Sequence, residues 1–174
     1  MTKKTRIALP SDAPSIALLG RITFSETFGH LFREPQDLKD YLEKTFSVDK
    51  IEASLRKENN VFWISFIDRL PVGYAKLKLH SPSPFIKDQD VCQLQKIYVL
   101  KDFLSHKMGF DLQNQLLEKA RSLGYKQIWL SVLDDNERAK AFYAKIGFEK
   151  IGDHEFRIGQ ERFDFIAVRK YFED

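Results

Sequence analysis

The chain has 174 residues, of which 43% are hydrophobic and 30% charged; this composition suits one folded domain over residues 1–174 and excludes a disordered or low-complexity protein. Lys and Arg number 28 against 25 Asp and Glu, and the resulting charge of +3 is scattered along the chain without a basic run, so no nucleic-acid partner is expected. Cys92 is the only cysteine, which excludes an internal disulfide and leaves no cysteine pair to bind a metal.

The N-terminal stretch MTKKTRIALPSD is basic but contains no apolar segment, and no run approaches the roughly 18 apolar residues of a membrane span. A cytoplasmic protein without a membrane partner is expected. Arg6–Leu9 reads as a first strand closed by Pro10. Ser11 to Pro14 is a helix-start signal, and Ile16, Leu18, Leu19, Ile22 and Phe28 carry a helix to about Gly29. Two further helices are expected, at about Pro35–Phe46 and Val48–Lys57. Val61–Ile67, dense in β-branched and aromatic residues, reads as a buried strand. Asp68 to Gly73 turns it into a hairpin partner, where Ala75, Leu77 and Leu79 form a buried face and Tyr74, Lys76 and Lys78 a wet one.

Ser81–Asp90 is a polar loop with two prolines, and Val91–Leu100 is a fourth strand in which Cys92 reads as inert packing. Leu112, Leu116, Leu117, Ala120 and Leu123 make an amphipathic helix that ends at Gly124. Lys126–Leu133 follows as a fifth strand. The tail adds strands at about Glu149–Ile158 and Arg162–Lys170, whose apolar side chains offer a surface for a homodimer. The order implies an α/β fold (α+β in its mixed pairing): a mixed central sheet of about seven strands flanked by helices, parallel where a helix joins strands four and five.

Between the fifth strand and the tail lies Asn136–Phe148, NERAKAFYAKIGF. Ala139, Phe142, Tyr143 and Ile146 recur at helical spacing, so they share one stripe, in which Tyr143 places a phenol among apolar side chains. Asp134 and Glu137 have capping-box spacing, and Gly147 stands where the helix should end. The pattern Asn-x-x-Ala-x-x-Phe-Tyr-x-Lys-x-Gly-Phe, with Ile97-Tyr98-Val99 upstream, resembles the signature of the GCN5-related N-acetyltransferases (GNAT).

That resemblance implies the GNAT acyl-CoA N-acyltransferase fold, acetyl-CoA as co-substrate and an amine as acceptor. It implies that Asn136, Ala139 and Phe142 lie along the cofactor and that Tyr143 protonates the leaving thiolate. A phenol, with a pKa of roughly 10, can donate to a thiolate whose acid has a pKa of roughly 8.5. Backbone N–H groups around Ile97, Tyr98 and Val99 would meet the thioester carbonyl. Relatives show Gln/Arg-x-x-Gly-x-Gly/Ala in the turn that binds pyrophosphate at a helix start. Here that turn reads Leu104-Ser105-His106-Lys107-Met108-Gly109: Gly109 matches, Leu104 replaces Gln/Arg, and Lys107 replaces the first glycine.

Many relatives also carry a glutamate base on strand four, where this chain has Gln93 and Gln95. Glu26, His154, Asp153 and Asp164 are the remaining candidates by chemistry. Ser25–Phe28, Asp37-Leu38, Tyr41-Leu42, Val72–Leu77, Trp129-Leu130 and Gly152–Phe156 resemble the PaiA group of polyamine N-acetyltransferases, which implies spermidine or spermine as acceptor. Glu26, Glu34, Asp37 and Asp40 would then attract a polycation. A peptide or protein amine, or a CoA-binding sensor without turnover, are the competing readings.

Overall fold

Strands that carry apolar side chains on both faces need cover on both faces, and here one seven-stranded sheet lies between two helical layers. The computed structural model describes residues 1–173. The strands are β1 (Lys3–Ile7), β2 (Asn60–Ile67), β3 (Leu70–Lys78), β4 (Cys92–Val99), β5 (Gln127–Leu133), β6 (Glu149–Ile158) and β7 (Glu161–Tyr171). The helices are α1 (Ala13–Phe28), α2 (Pro35–Thr45), α3 (Val48–Leu55), α4 (Met108–Ser122) and α5 (Glu137–Lys145). The strand order is β1-β2-β3-β4-β5-β7-β6, with only β4 and β5 parallel. This is the mixed α/β fold expected from the sequence.

One core fills the space between the sheet and α4 and α5, with Leu112, Leu116, Ala120, Ile128 and Leu130 almost fully buried. The other lies under α1 and α3 and is built on Ile16, Phe24, Phe28, Phe46, Ile64 and Tyr74. Three expectations change. β1 begins three residues earlier, because Lys3 to Ile7 pair with Ile67 to Trp63. Leu18 and Ile22 face outward at 59% and 39% exposure, while Phe24 fills the core instead. The expected wet face of β3 is covered: Tyr74 is 1% exposed, and α1 and α3 lie over it.

That cover also shelters Lys76 and Lys96, which are paired across β3 and β4. Burial, then the neighbouring ammonium groups, lowers both pKa values to about 8. The two ammonium nitrogens lie over the rings of Phe62 and Phe46, at 5.4 and 5.2 Å.

The end of α5 decides where Tyr143 stands. Gly147 adopts φ +98°, its N–H bonds to Ala144 O at 3.1 Å, and the Phe148 N–H bonds to Tyr143 O at 3.1 Å. Those two bonds form a Schellman motif, and its hydrophobic contact is the Tyr143–Phe148 ring pair at 5.5 Å. Lys170 Nζ donates to Ile146 O at 2.8 Å, which places a cation at the negative helix end. Gly147→Ala should therefore destabilise the fold by about 1–2 kcal/mol in urea unfolding, because a Cβ is disfavoured at this φ. An unchanged unfolding midpoint would contradict this account of the helix end.

Candidate active site

β4 and β5 pair only at Cys92↔Ile128 and Gln93↔Trp129; beyond those two rungs the strands diverge. A β-bulge at Gln95 turns β4 as it leaves, since Lys76 pairs with Lys96 while Leu77 pairs with Leu94. The edge of β4 from Lys96 to Val99 that would have faced β5 is thus left open, with backbone groups available to a ligand. Two cavities meet at this opening and share Ile97, Tyr98, Asn136, Ala139 and Tyr143. The larger, about 530 Å³, runs outward between β4, the start of α4 and α5. The smaller, about 110 Å³, lies on the α1 side between β4 and β5.

The larger cavity gathers residues far apart in sequence. Ile97, Tyr98 and Val99 line it from β4, Leu104, Lys107 and Gly109 from the turn, and Asn136, Ala139, Phe142 and Tyr143 from α5. Asp134 does not cap α5: the N-cap is Asn136, whose Oδ1 accepts from Ala139 N–H at 3.1 Å, while Asp134 pairs with Lys140 at 3.2 Å. The helix starts two residues later than the capping-box reading, and the Asn136 amide NH₂ remains for a ligand. Tyr143 is 7% exposed, and burial, followed by the neighbouring Tyr98, pushes its phenol pKa up, so it is protonated at neutral pH.

At the turn, residues 101–106 form a 3-10 segment before α4. Lys107 then takes φ +60° and ψ +20°, the left-handed conformation that glycine adopts without strain, and N-caps the 15-residue helix. The chain keeps the bend and accepts a side chain in it. The N–H groups of Met108, Gly109 and Phe110 are in the first turn of α4, at the positive end of its dipole. The Met108 side chain is 0% exposed in the core, so its backbone alone is available. Ser105 and His106 lie beside the cavity rather than in its lining; their Oγ and Nδ1 are 3.4 Å apart. Phe110 and Arg138 line the same cavity and carried no sequence signal.

The smaller cavity is lined by Thr27 and Phe28 of α1, Gln95 of β4, Ser131 and Leu133 of β5, and Phe165 of β7. No Asp or Glu lines it among the described residues. Gln93 is held away, accepting from Ser81 Oγ at 2.9 Å. Glu26 is exposed and accepts from Lys101 N–H at 3.0 Å, outside both cavities. Glu34 caps α2 through Gln36 N–H, Asp37 accepts from Gln160 N–H at 2.8 Å, and Asp40 accepts from Gln36 Nε2. Asp153 and Asp164 are exposed and paired with Lys150 and Arg162. His154 is half-buried on β6 with Nε2 2.8 Å from Ser131 Oγ. Ser131 was missed because a lone serine in a strand has no pattern. Cys92 is buried with its thiol pushed up to about 12, chiefly by desolvation, so it supplies no nucleophile at neutral pH.

A helix N-terminus with two nearby cations, a long cavity and an open strand edge suit a ligand with a phosphate head and a slender, amide-rich tail, such as coenzyme A. A sequence model described as the Acetyltransferase (GNAT) family matches residues 24–148. An uncharacterized N-acetyltransferase of Lactobacillus delbrueckii subsp. lactis is 31% identical over 159 residues, covering 91% of each chain. Another from Mycobacterium bovis is 28% identical over 137 residues, covering 78% of this chain and 83% of its own. Among solved structures, the PaiA N-acetyltransferase of Thermoplasma acidophilum, in complex with coenzyme A, superimposes with TM-score 0.78 at 17% identity, covering 99% of this chain and 100% of its own.

Lys107→Gly separates conformation from charge. Relief of about 1–2 kcal/mol of left-handed strain outweighs the added chain entropy, so stability should rise by roughly 0.5 kcal/mol. Loss of the ammonium should weaken acetyl-CoA binding about fivefold in low salt by calorimetry, and less in high salt. Unchanged or tighter binding would remove any phosphate role for Lys107.

Proposed function

The chain belongs to the GNAT family of acetyltransferases, and from that premise we propose that it transfers the acetyl group of acetyl-CoA directly to a primary amine, with both substrates bound together. The observation that carries this reading is the meeting of the two cavities at Tyr143, one fit for the cofactor and one open to the acceptor. Lys107, Arg138 and the first N–H groups of α4 hold the pyrophosphate. The open edge of β4 around Tyr98 and Val99 binds the pantetheine amides and polarises the thioester carbonyl. Asn136 offers its amide NH₂ to the same chain.

Tyr143 donates to the leaving sulfur. Because burial raises its pKa, full transfer to a thiolate is uphill on its own. It becomes favourable when the newly acylated nitrogen, a strong acid, returns a proton to the phenol in the same step. Direct transfer needs no cysteine nucleophile, and the one thiol, Cys92, is buried and protonated.

A polyamine such as spermidine is the acceptor class proposed first. A slender alkyl-ammonium chain suits a narrow cleft flanked by Phe28 and Phe165, whose ring faces attract cations. A second reading, a peptide N-terminus, is favoured by the lack of a carboxylate in the cleft lining among the described residues. An α-amino group, with a pKa of about 8, needs less help to lose its proton than an alkylamine at roughly 10.

Release of CoA thiol from acetyl-CoA, followed with a thiol reagent against polyamines, aminosugars and short peptides, tests the reading. The buried Cys92 adds little background. Turnover with spermidine supports the first acceptor class, and turnover with a peptide alone supports the second. Tight acetyl-CoA binding without turnover on any amine would contradict the enzyme reading. Tyr143→Phe should lower kcat about 10²-fold, the usual scale for a positioned acid, with acetyl-CoA affinity unchanged. Wild-type kcat in that variant would remove Tyr143 from the chemistry.

A further inference from the structure

An amine acetyltransferase must take a proton from an acceptor that arrives as an ammonium ion, and the two glutamines on β4, Gln93 and Gln95, cannot do so. Resting on the reading above, we propose that Ser131 and His154 form the proton relay that deprotonates the acceptor amine. Ser131 touches the substrate and His154 receives the proton through it.

The geometry is built across three strands. Ser131 lies on β5 in the lining of the acceptor cleft, beside Gln95, Leu133 and Phe165. His154 lies on β6, with β7 between them, and brings Nε2 to 2.8 Å from Ser131 Oγ. The β7 residue opposite Ser131 is Ala167, small enough for the imidazole to reach across. The His154 ring stacks on Phe165, with centroids 5.5 Å apart and planes 15° apart. Phe165 lines the cleft as well, so it fixes the imidazole plane and shapes the acceptor site with the same ring. Half-burial leaves His154 a path to solvent.

The other groups that could take the proton are occupied or turned away. Glu26 accepts from the Lys101 backbone N–H, outside the cleft. Lys96 borders the cleft, but its ammonium nitrogen lies over Phe46, beneath α1. The charged groups flanking the relay are Asp153 and Glu155 on β6 and Asp164 on β7, paired with Lys150, Arg162 and Arg162.

The proton balance closes. Ser131 Oγ accepts a proton from the ammonium ion while its own hydroxyl proton passes to His154 Nε2, which requires the tautomer with hydrogen on Nδ1. The neutral amine nitrogen forms its bond to the acetyl carbon, and the C–S bond breaks. Tyr143 supplies the proton that makes the CoA thiol and regains one from the new amide nitrogen. His154 returns its proton to water, so one proton is released per acetyl group transferred.

The test uses the full chain with acetyl-CoA and spermidine, or with the peptide acceptor if that is what the wild type turns over. His154→Gln keeps a hydrogen-bonding group toward Ser131 and removes the proton acceptor; Ser131→Ala removes the bridge. Each should lower kcat/KM roughly 10²-fold near neutral pH, the scale of general-base catalysis, while acetyl-CoA affinity by calorimetry stays at the wild-type value. The loss should shrink as pH rises toward the amine's own pKa, where no base is needed. The double variant should be no slower than the worse single one, because the two residues act as one unit. Wild-type rates in His154→Gln, a loss that is constant with pH, or losses that multiply in the double variant would overturn the relay while leaving the enzyme reading intact. A wild type that binds acetyl-CoA and turns over no amine would overturn both.

Discussion

The separation of β4 from β5 is the constraint on which the rest of the site depends. Parallel strands joined by a crossover helix ordinarily pair along their length, but here the ladder stops after two rungs. The bulge at Gln95 and the hairpin partnership of β4 with β3 direct the strand away. The bonds given up are those of the two facing edges, while the outer edge of β5 pairs with β7 over its whole length, Gln127 to Leu133. The opening is therefore held apart by well-paired sheet on both sides. α4 closes one end of it and α5 the other, and Tyr143 stands where the two cavities meet.

Around that opening the chain separates charge from chemistry. Cations and free helix N–H groups lie at the outer end, a setting that suits a diphosphate, and the inner cleft is lined by uncharged polar, aromatic and aliphatic side chains apart from Lys96. The acidic residues of the α1–α2 region act elsewhere. Arg33 is tied to Glu161 through its backbone N–H and its guanidinium, and Asp37 caps the β6–β7 turn at Gln160. Those bonds fasten the α1–α2 connection and the start of α2 to the tail hairpin.

Much of the fold was legible because its elements carry period and punctuation. The stripe of Leu112, Leu116 and Ala120 and the Gly147 stop both describe what the chain does. The failures have a common source in tertiary context. Tyr74 and Lys76 alternate as a wet face should, yet α1 and α3 cover them, and no local pattern reports helices that arrive from elsewhere in the chain. Asp134 has cap spacing, but its side chain turns to Lys140 and Asn136 takes the cap. In the site, the stripe on α5 and the turn before α4 could be read because each is contiguous. The Ser131–His154 pair spans three strands, and its members become neighbours only when β7 inserts between β5 and β6.

The central claim is that the cofactor occupies the gap between β4 and β5 and bonds to the open edge of β4. Amide hydrogen exchange with and without acetyl-CoA tests it most directly. Binding should slow exchange in two separate segments, Lys96–Val99 on β4 and Met108–Phe110 at the start of α4, with little change in β1 or β2. Protection at the start of α4 with none on β4 would mean that the phosphate head binds while the acyl chain lies elsewhere, and would contradict the account.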